Sequence, residues 1–214
     1  MWIDPRKVHH QVGTSRPESR RVREKFARMQ SKGRLTVVAR RQTLRIANAL
    51  ESFVIDADYY EDLTAFEKNE KYNRVSDITK HRENYKASKW YSDLICELRE
   101  HGVARHKKIM MLSESDIDHF LESYVLSMLD SLERDGFDPG KGGGLGKALI
   151  GKDGSIHKSG SGHHRFYAAR VLGIKPIPVL IAGAHEDWYR KHIGSRFALE
   201  KLRVALGDVQ AKHA

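Results

Sequence analysis

Residues 154–173 of this chain of 214 residues read GSIHKSGSGHHRFYAARVLG, and their pattern is the strongest indication of the fold. The turn residues Lys152-Asp153-Gly154-Ser155 separate two short segments, Ala148–Ile150 and Ile156–Lys158. An Asp-Gly turn between two such segments is typical of a β-hairpin. We therefore expect two antiparallel strands that lead directly into the rest of the stretch.

A glycine loop and a helix follow this hairpin. The loop Ser159-Gly160-Ser161-Gly162 is rich in turn residues, and the pattern from His163 to Leu172 predicts a helix that ends at Gly173. The segment Pro178–Ile181 is then predicted to return as a further strand. The expected order is strand, turn, strand, glycine loop, helix and strand.

The junction between the loop and the helix has the features of an anion site. Backbone N–H groups at a helix start have no partner inside the helix, and the helix dipole favours a negative charge there. Gly160 and Gly162 let this backbone approach a ligand closely, and Arg165 adds a guanidinium suited to phosphate. His163 and His164 are candidates for hydrogen bonding or proton transfer near neutral pH.

A second glycine-rich stretch, residues 140–147, competes for the same role. A P-loop requires a glycine, four residues and then Gly-Lys-Ser/Thr. Gly146-Lys147 meets part of this pattern, but Lys141 stands at the position of the first glycine and Ala148 replaces the hydroxyl residue. This stretch therefore predicts a flexible loop or a mobile flap over a ligand, and not a P-loop.

The stretch 154–173, followed by Ile177-Pro178-Val179, resembles the central signature of the ParB/sulfiredoxin superfamily. In that signature a hairpin leads to a Gly-x-x-Arg helix start, paired small residues, Leu-Gly and a Pro-Val strand. A predicted helix at Ile117–Leu132 matches the helix before the hairpin, and Trp2–Val8 is similar to the first strand. The resemblance extends from about Lys108 to Ile181, and it implies that the preceding helical residues are an elaboration of the superfamily fold.

The resemblance implies that the chain binds a nucleotide, namely ATP, ADP or CTP, with Mg²⁺ carried in by the phosphates. Gly162 and Arg165 fall on the phosphate-binding glycine and arginine of the superfamily. His163 falls on the catalytic cysteine of sulfiredoxin, which argues against that activity because a histidine cannot form a thiosulfinate. No partition-type DNA-binding domain fits after Ile181, whereas the Gly-His-x-Arg pattern is closest to that of a free-serine kinase.

From the residues and the resemblance together, we expect a nucleotide-dependent phosphotransferase or NTPase. The candidate catalytic residues are His157 and His163, and Asp138 and Asp153 are candidates for contact with Mg²⁺. The predicted phosphate- and nucleotide-binding residues are Lys158, Ser159, Gly160, Ser161, Gly162, His164 and Arg165. A nucleotide-sensing scaffold that binds without turnover is a further alternative.

The distribution of charge supports a different class of function. The chain has 38 Lys and Arg against 28 Asp and Glu, a net of +10. Residues 1–45 alone hold 13 basic and three acidic side chains, and 13 − 3 is also +10. A basic ridge is predicted on one helix face at Arg21, Lys25, Arg28 and Lys32. The alternative is therefore a DNA- or RNA-binding protein, with nuclease activity in one version, or a protein that binds another anionic polymer.

Composition sets the remaining expectations. Cys96 is the single cysteine, which excludes an internal disulfide and a cysteine-based zinc site, and no apolar run is long enough for a membrane span. We expect a cytoplasmic protein of α/β (α+β) class, with a small mixed sheet of ParB/sulfiredoxin type and a large helical N-terminal elaboration. The expected division is residues 1–105 for the first strand and elaboration, 106–185 for the core, and 186–214 for a C-terminal helix packed on that core.

Overall fold

The computed structural model describes residues 1–13, 52–140 and 144–214, and shows a mixed α/β architecture. The strands in these ranges are β1 Trp2–Ile3, β2 His10–Gln11, β3 Val54–Ile55, β4 Thr64–Ala65, β5 Ala104–His106, β6 Ile109–Met111, β7 Gly146–Ile150, β8 Ile156–Ser159 and β9 Ile177–His185.

The helices in the same ranges are α1 Glu70–Lys80, α2 Lys89–His101, α3 Glu114–Phe120, α4 Ser127–Asp135, α5 His163–Leu172, α6 Glu186–His192 and α7 Leu199–His213. A π-helical turn, Leu121–Leu126, joins α3 to α4. Short 3₁₀ helices lie at Pro5–Lys7, Ala57–Tyr60, Phe66–Lys68 and Arg82–Ala87.

One sheet contains the predicted hairpin and strands from the N-terminal part of the chain. Its order is β1-β9-β7-β8-β2-β4, with β3 also paired to β9. The β7–β8 pair is antiparallel, while β9 runs parallel to β7 and β2 runs parallel to β8. Strands β5 and β6 form a separate hairpin. The described parts of residues 1–65 and 146–185 therefore share one sheet.

The two faces of the central strands are distinct, because successive side chains of a strand point to opposite faces. Ala148 and Ile150 of β7 belong to the main apolar core, whereas Leu149 packs in a smaller cluster with Val12, Ile55 and Tyr60. Lys158 is the cross-strand partner of Ala148, and His157 is the partner of Leu149. Lys158 and His157 consequently lie on opposite faces of the sheet.

Helix α5 is fixed closely against the start of β7. A Cβ atom on Gly162 would lie 2.8 Å from the Cα atom of Gly146, and Gly162 has φ +77°. Phe166, Ala168 and Ala169 of the same helix are buried in the main core. Only glycine satisfies both the backbone conformation and this close approach, so Gly162 sets the position of the helix start.

Side-chain caps begin the helices that surround α5. Asn69 caps α1 by accepting from the backbone N–H groups of Lys71 and Tyr72, and Ser88 caps α2. Ser113 and Asp116 form a reciprocal capping box at α3, as expected for these residue types. The predicted helix at Ile117–Leu132 is therefore confirmed, apart from the π-helical turn within it.

The structure corrects two predicted elements. The single C-terminal helix expected within residues 186–214 is two helices, α6 and α7, separated near Gly194, whose φ is +94°. The expected first strand at Trp2–Val8 contains only β1 before Pro5 begins a 3₁₀ turn. Strands β5 and β6 pair with each other outside the main sheet, and Lys107 turns the chain between them with φ +57°.

Within the described ranges, no helix combines the length and the apolar character needed to cross a membrane.

Candidate functional site

At the start of α5, the first backbone N–H groups take no part in hydrogen bonds within the helix. The first helical hydrogen bond at this end runs from the N–H of Phe166 to the carbonyl of Gly162, at 3.2 Å. The N–H groups of His163 and His164 have no hydrogen-bond acceptor within the described residues, and the Gly162 cap supplies no side chain. These donors and the positive end of the helix dipole together favour an anion at this position.

A cleft of about 820 Å³ opens at this helix start. Ser161, Gly162, His163, His164 and Arg165 line one side of it. Other cations come from distant segments, namely Lys71 and Arg74 of α1 and Arg105 and Lys107 of the β5–β6 hairpin. The lining described by the structure thus contains five Lys or Arg side chains and no carboxylate. This imbalance of charge favours a ligand with several negative charges.

The lysines that face the helix start are available for a ligand. Neither Lys71 nor Lys107 makes an ion pair with any residue in the described part of the chain, and both side chains are exposed. Arg74, by contrast, pairs with Glu70 at 2.6 Å and with Asp93 at 3.5 Å. Arg74 therefore contributes less uncompensated charge to the cleft than the two lysines.

Three histidines of the cleft are held in their neutral form. Burial lowers the pKa of His163 to about 3 and the pKa of His164 to about 4. Burial likewise lowers the pKa of His106 to about 4. The charges of Lys71 and Lys107 contribute to all three shifts, which places both lysines near the three imidazoles. At pH 7 these rings can accept a proton, but they do not add positive charge.

Arg165 is oriented by the segment before the second glycine-rich stretch. Its Nη2 atom donates to the backbone carbonyl of Asp138 at 2.6 Å, and its guanidinium lies 4.1 Å from the centre of the Phe137 ring. Burial lowers the pKa of Arg165, but the group stays charged at any physiological pH. Arg165 therefore contacts both the cleft and the two residues, Phe137 and Asp138, that precede the second glycine-rich stretch.

The sequence predicted that Lys158 contacts phosphates, but Lys158 is not among the residues that line the cleft. Its side chain is fully buried beneath the glycine loop, where Nζ donates to the carbonyls of Ser159 and Ser161, both at 2.6 Å. Burial lowers its pKa to about 7. Ser159 is buried as well, and Gly160 adopts φ +57° beside the Lys147 side chain. Lys158, Ser159 and Gly160 therefore support the loop on its buried side, while Ser161 and Gly162 line the cleft.

His157 lies on the opposite face of the sheet from His163. Its Nε2 atom is 3.0 Å from Ser155 Oγ, which donates to Asp153 Oδ1 at 2.5 Å, and the imidazole packs against Tyr60. Burial lowers its pKa to about 4, and its Nδ1 atom has no hydrogen-bond partner among the residues that the structure describes. The structure therefore does not bring the two candidate catalytic histidines into one site.

The metal candidates are also separated. Asp153 is on the His157 face, whereas Asp138 is beyond Arg165 and accepts from the N–H of Gly140. Within the described ranges, no group of three or more His, Cys, Asp or Glu is placed to hold a metal ion. The cleft thus offers donors for phosphate oxygens, but not the carboxylates that a protein-bound Mg²⁺ requires.

Two predicted features fall outside the described residues. The basic ridge of Arg21, Lys25, Arg28 and Lys32 lies entirely there, as does the middle of the predicted flap at residues 141–143. The described chain does reach Gly13, and β2 runs parallel to β8 with Gln11 opposite Lys158. Gly13, the last described residue before that ridge, therefore follows a strand that lies beside β8, which leads into the glycine loop.

Several cleft residues come from other elements and were not predicted from the sequence. They are Lys71, Arg74, Trp90, Arg105, His106, Lys107, Ser123, Tyr124, Ser127, Met128, Ser131 and Leu132. Trp90 belongs to the main core and is 2 % exposed, but it also forms part of the cleft wall. A usable signal was the run of basic residues from Arg105 to Lys108 around a single histidine, since the remainder of the chain after residue 45 has no net charge.

Comparison of the chain with models of protein families, with curated proteins and with solved structures finds no match in any of the three. The geometry of the cleft is therefore the basis for assigning its chemistry.

Proposed function

We propose that the cleft binds the phosphates of a nucleotide (ATP, ADP or CTP) and that the protein is a phosphotransferase or NTPase. The observation that carries this proposal is the combination of the free N–H groups at His163 and His164 with five lining cations and no carboxylate among the described residues. The helix start supplies N–H donors for phosphate oxygens, and the cations balance the negative charge of the phosphates.

The strand–loop–helix unit supports the nucleotide assignment. The order β7, β8, glycine loop, α5 and β9 agrees with what the ParB/sulfiredoxin resemblance implies for a phosphate-binding unit. The paired residues Ala168 and Ala169 are buried, and Gly162 packs against Gly146, so the signature positions have structural roles here. We accordingly propose a fold of ParB/sulfiredoxin type in which residues 52–135 supply the facing wall of the cleft.

His163 is the proposed proton acceptor for a phosphoryl acceptor's hydroxyl. Its imidazole is neutral and belongs to the residue that opens α5, next to the proposed phosphate position. A bound polyanion would favour the imidazolium form and so raise the pKa of His163 towards the working range of a general base. His157 is on the other face of the sheet, and we assign it no part in this step.

Nucleotide phosphates fit this lining, whereas a protein-bound Mg²⁺ does not, because carboxylates are lacking in the described lining. We therefore assign no chemical step to the ion. In this proposal Lys71, Lys107 and the helix start neutralise the charge that develops on the transferring group.

Calorimetric titration with ATP, ADP and CTP tests the proposal. We expect micromolar to millimolar binding by the wild type, and about a tenfold loss for Lys71→Ala or Lys107→Asn. Asn tolerates the positive φ of residue 107. Lys108→Asn is the matched control, since Lys108 is exposed next to Lys107 but does not line the cleft. Absence of binding by all three nucleotides, or equal losses in Lys107→Asn and Lys108→Asn, would contradict the proposal.

The second candidate function is binding of DNA or RNA. The observation that favours it is the cationic lining of the cleft, together with the position of β2 beside β8 just before Gly13. This candidate requires a nucleic-acid backbone to contact both the basic ridge and the cleft. This candidate predicts strongly salt-dependent binding of an oligonucleotide that weakens when Arg21, Lys25 and Arg28 are neutralised.

A further inference from the structure

One wall of the cleft differs chemically from the rest. The π-helical turn and α4 contribute only uncharged side chains to it, namely Ser123, Tyr124, Ser127, Met128, Ser131 and Leu132. The five lining cations all come from α1, the β5–β6 hairpin and α5. The cleft therefore has a cationic part and an uncharged part with hydroxyl and apolar groups, which suits a ligand with the same division.

Aromatic rings join these two parts. The rings of His106 and His164 are 5.2 Å apart, and Trp90 lies within 5.7 Å of both. Tyr124 extends the group from the uncharged wall, at 6.1 Å from His106. Trp90 is buried, whereas Tyr124 is 40 % exposed and His106 is half-buried, so these two rings offer surface at the boundary for stacking with a flat aromatic group.

Polar atoms without partners concentrate at the same place. Buried side-chain N and O atoms are nearly always hydrogen-bonded, because an unpaired one loses its bonds to water without replacement. Within the described ranges there are four such exceptions, and three of them belong to residues of this cleft: Arg74 Nε, Trp90 Nε1 and His106 Nε2. Arg74 Nε and Trp90 Nε1 can only donate, so the group that satisfies them must carry hydrogen-bond acceptors.

We infer that the uncharged wall, including the ring of Tyr124, together with the ring of His106, is the subsite for the nucleoside of the bound nucleotide. This inference rests on the proposed function, since it places the nucleoside on the same molecule whose phosphates contact the helix start. Ribose hydroxyls match the serine and tyrosine hydroxyls, and a base supplies a flat ring and acceptor atoms. The wall also contains the π-helical turn, and such turns are frequent at functional sites.

The test compares each nucleotide with inorganic tripolyphosphate, which has the phosphates but no nucleoside. For the wild type we expect ATP or CTP to bind at least about tenfold more tightly than tripolyphosphate. Ser127→Leu should remove most of this difference by weakening nucleotide binding about tenfold, while tripolyphosphate binding stays within about twofold. Ser127 is exposed in the wall, so the substitution leaves the core unchanged.

The matched control is Ser115→Leu, which places the same substitution at an exposed helical position away from the cleft. It should leave both affinities unchanged. Equal affinity for nucleotide and tripolyphosphate in the wild type would overturn the nucleoside subsite while leaving the phosphate site standing. Binding of neither compound would instead reject the proposed function itself. Binding of a single-stranded oligonucleotide without binding of any free nucleotide would also overturn the inference.

Discussion

The Nζ atom of Lys158 donates a hydrogen bond of 2.6 Å to the backbone carbonyl of Ser161, the residue where the glycine loop enters the cleft. A second bond of the same length joins Nζ to the carbonyl of Ser159. Lys158 is fully buried and has no carboxylate partner in the described part of the chain, which is unusual because desolvation penalises the charge of a lysine. Here the lysine holds two loop carbonyls in place, so that the adjacent N–H groups remain directed to the cleft.

Replacement Lys158→Met should change stability in a pH-dependent way. Burial lowers the pKa of Lys158 to about 7 from an ordinary value near 10.5. Between these values the unfolded chain binds the proton and the folded protein does not, so this lysine makes stability rise with pH. We expect the stability of the wild type relative to Lys158→Met to rise from pH 7 to pH 10, as measured by urea unfolding.

The same variant should also bind tripolyphosphate at least about tenfold more weakly, since the loop carbonyls lose their donors. A stability difference that is flat across pH 7 to 10 would show that the lysine keeps its ordinary pKa. Unchanged tripolyphosphate affinity would show that Lys158 does not shape the loop.

Gly162→Ala should be more destabilising than other substitutions at left-handed glycines. The left-handed backbone costs about 1–2 kcal/mol for an L-residue. At Gly162 the added Cβ would also lie 2.8 Å from Gly146 Cα, which forces α5 away from β7. Gly102→Ala is the control, because Gly102 has φ +69° and no atom within 4 Å of the added Cβ. Urea unfolding should show a clearly larger loss for Gly162→Ala, and equal losses would mean that the contact with Gly146 is unimportant.

Acid should unfold the protein through its buried histidines. The pKa of His106, His157 and His164 is lowered to about 4, and that of His163 to about 3, in each case chiefly by burial. Between pH 6.5 and 4 the unfolded chain binds protons that the folded protein excludes, so stability falls as the pH falls. Each histidine contributes at most about 1.4 kcal/mol per pH unit.

His157→Leu isolates one of these contributions, because His157 is buried away from the cleft. We expect a shallower decrease in stability between pH 6.5 and 4 for this variant than for the wild type. His119→Leu, at an exposed position of α3, is the control and should retain the wild-type slope. If stability depends on pH in His157→Leu as steeply as in the wild type, His157 binds its proton in the folded protein as readily as in the unfolded chain.

The part of the site that is contiguous in sequence could be predicted, and the part assembled from distant segments could not. The hairpin, the glycine loop and α5 follow from local turn and helix patterns around residues 154–173. The cleft wall depends on Lys71, Trp90 and Lys107, which lie more than 50 residues from His163 in the chain. Their approach is determined by the packing of α1, α2 and the β5–β6 hairpin, and no local pattern encodes it.

The roles of His157 and Lys158 show a different limit. The two residues are adjacent in β8, so their side chains must point to opposite faces of the sheet. Strand alternation alone could therefore have shown that they do not share one site. It could not have shown that Lys158 would be buried under the loop, because this depends on the position of α5 above β8.

A crystal structure with a bound non-hydrolysable nucleotide would locate the phosphates. We expect phosphate oxygens about 2.7–3.1 Å from the backbone nitrogens of His163 and His164, with Lys71 and Lys107 turned towards the same group. Phosphates bound elsewhere, with the start of α5 facing only solvent, would show that this helix start is not the phosphate site.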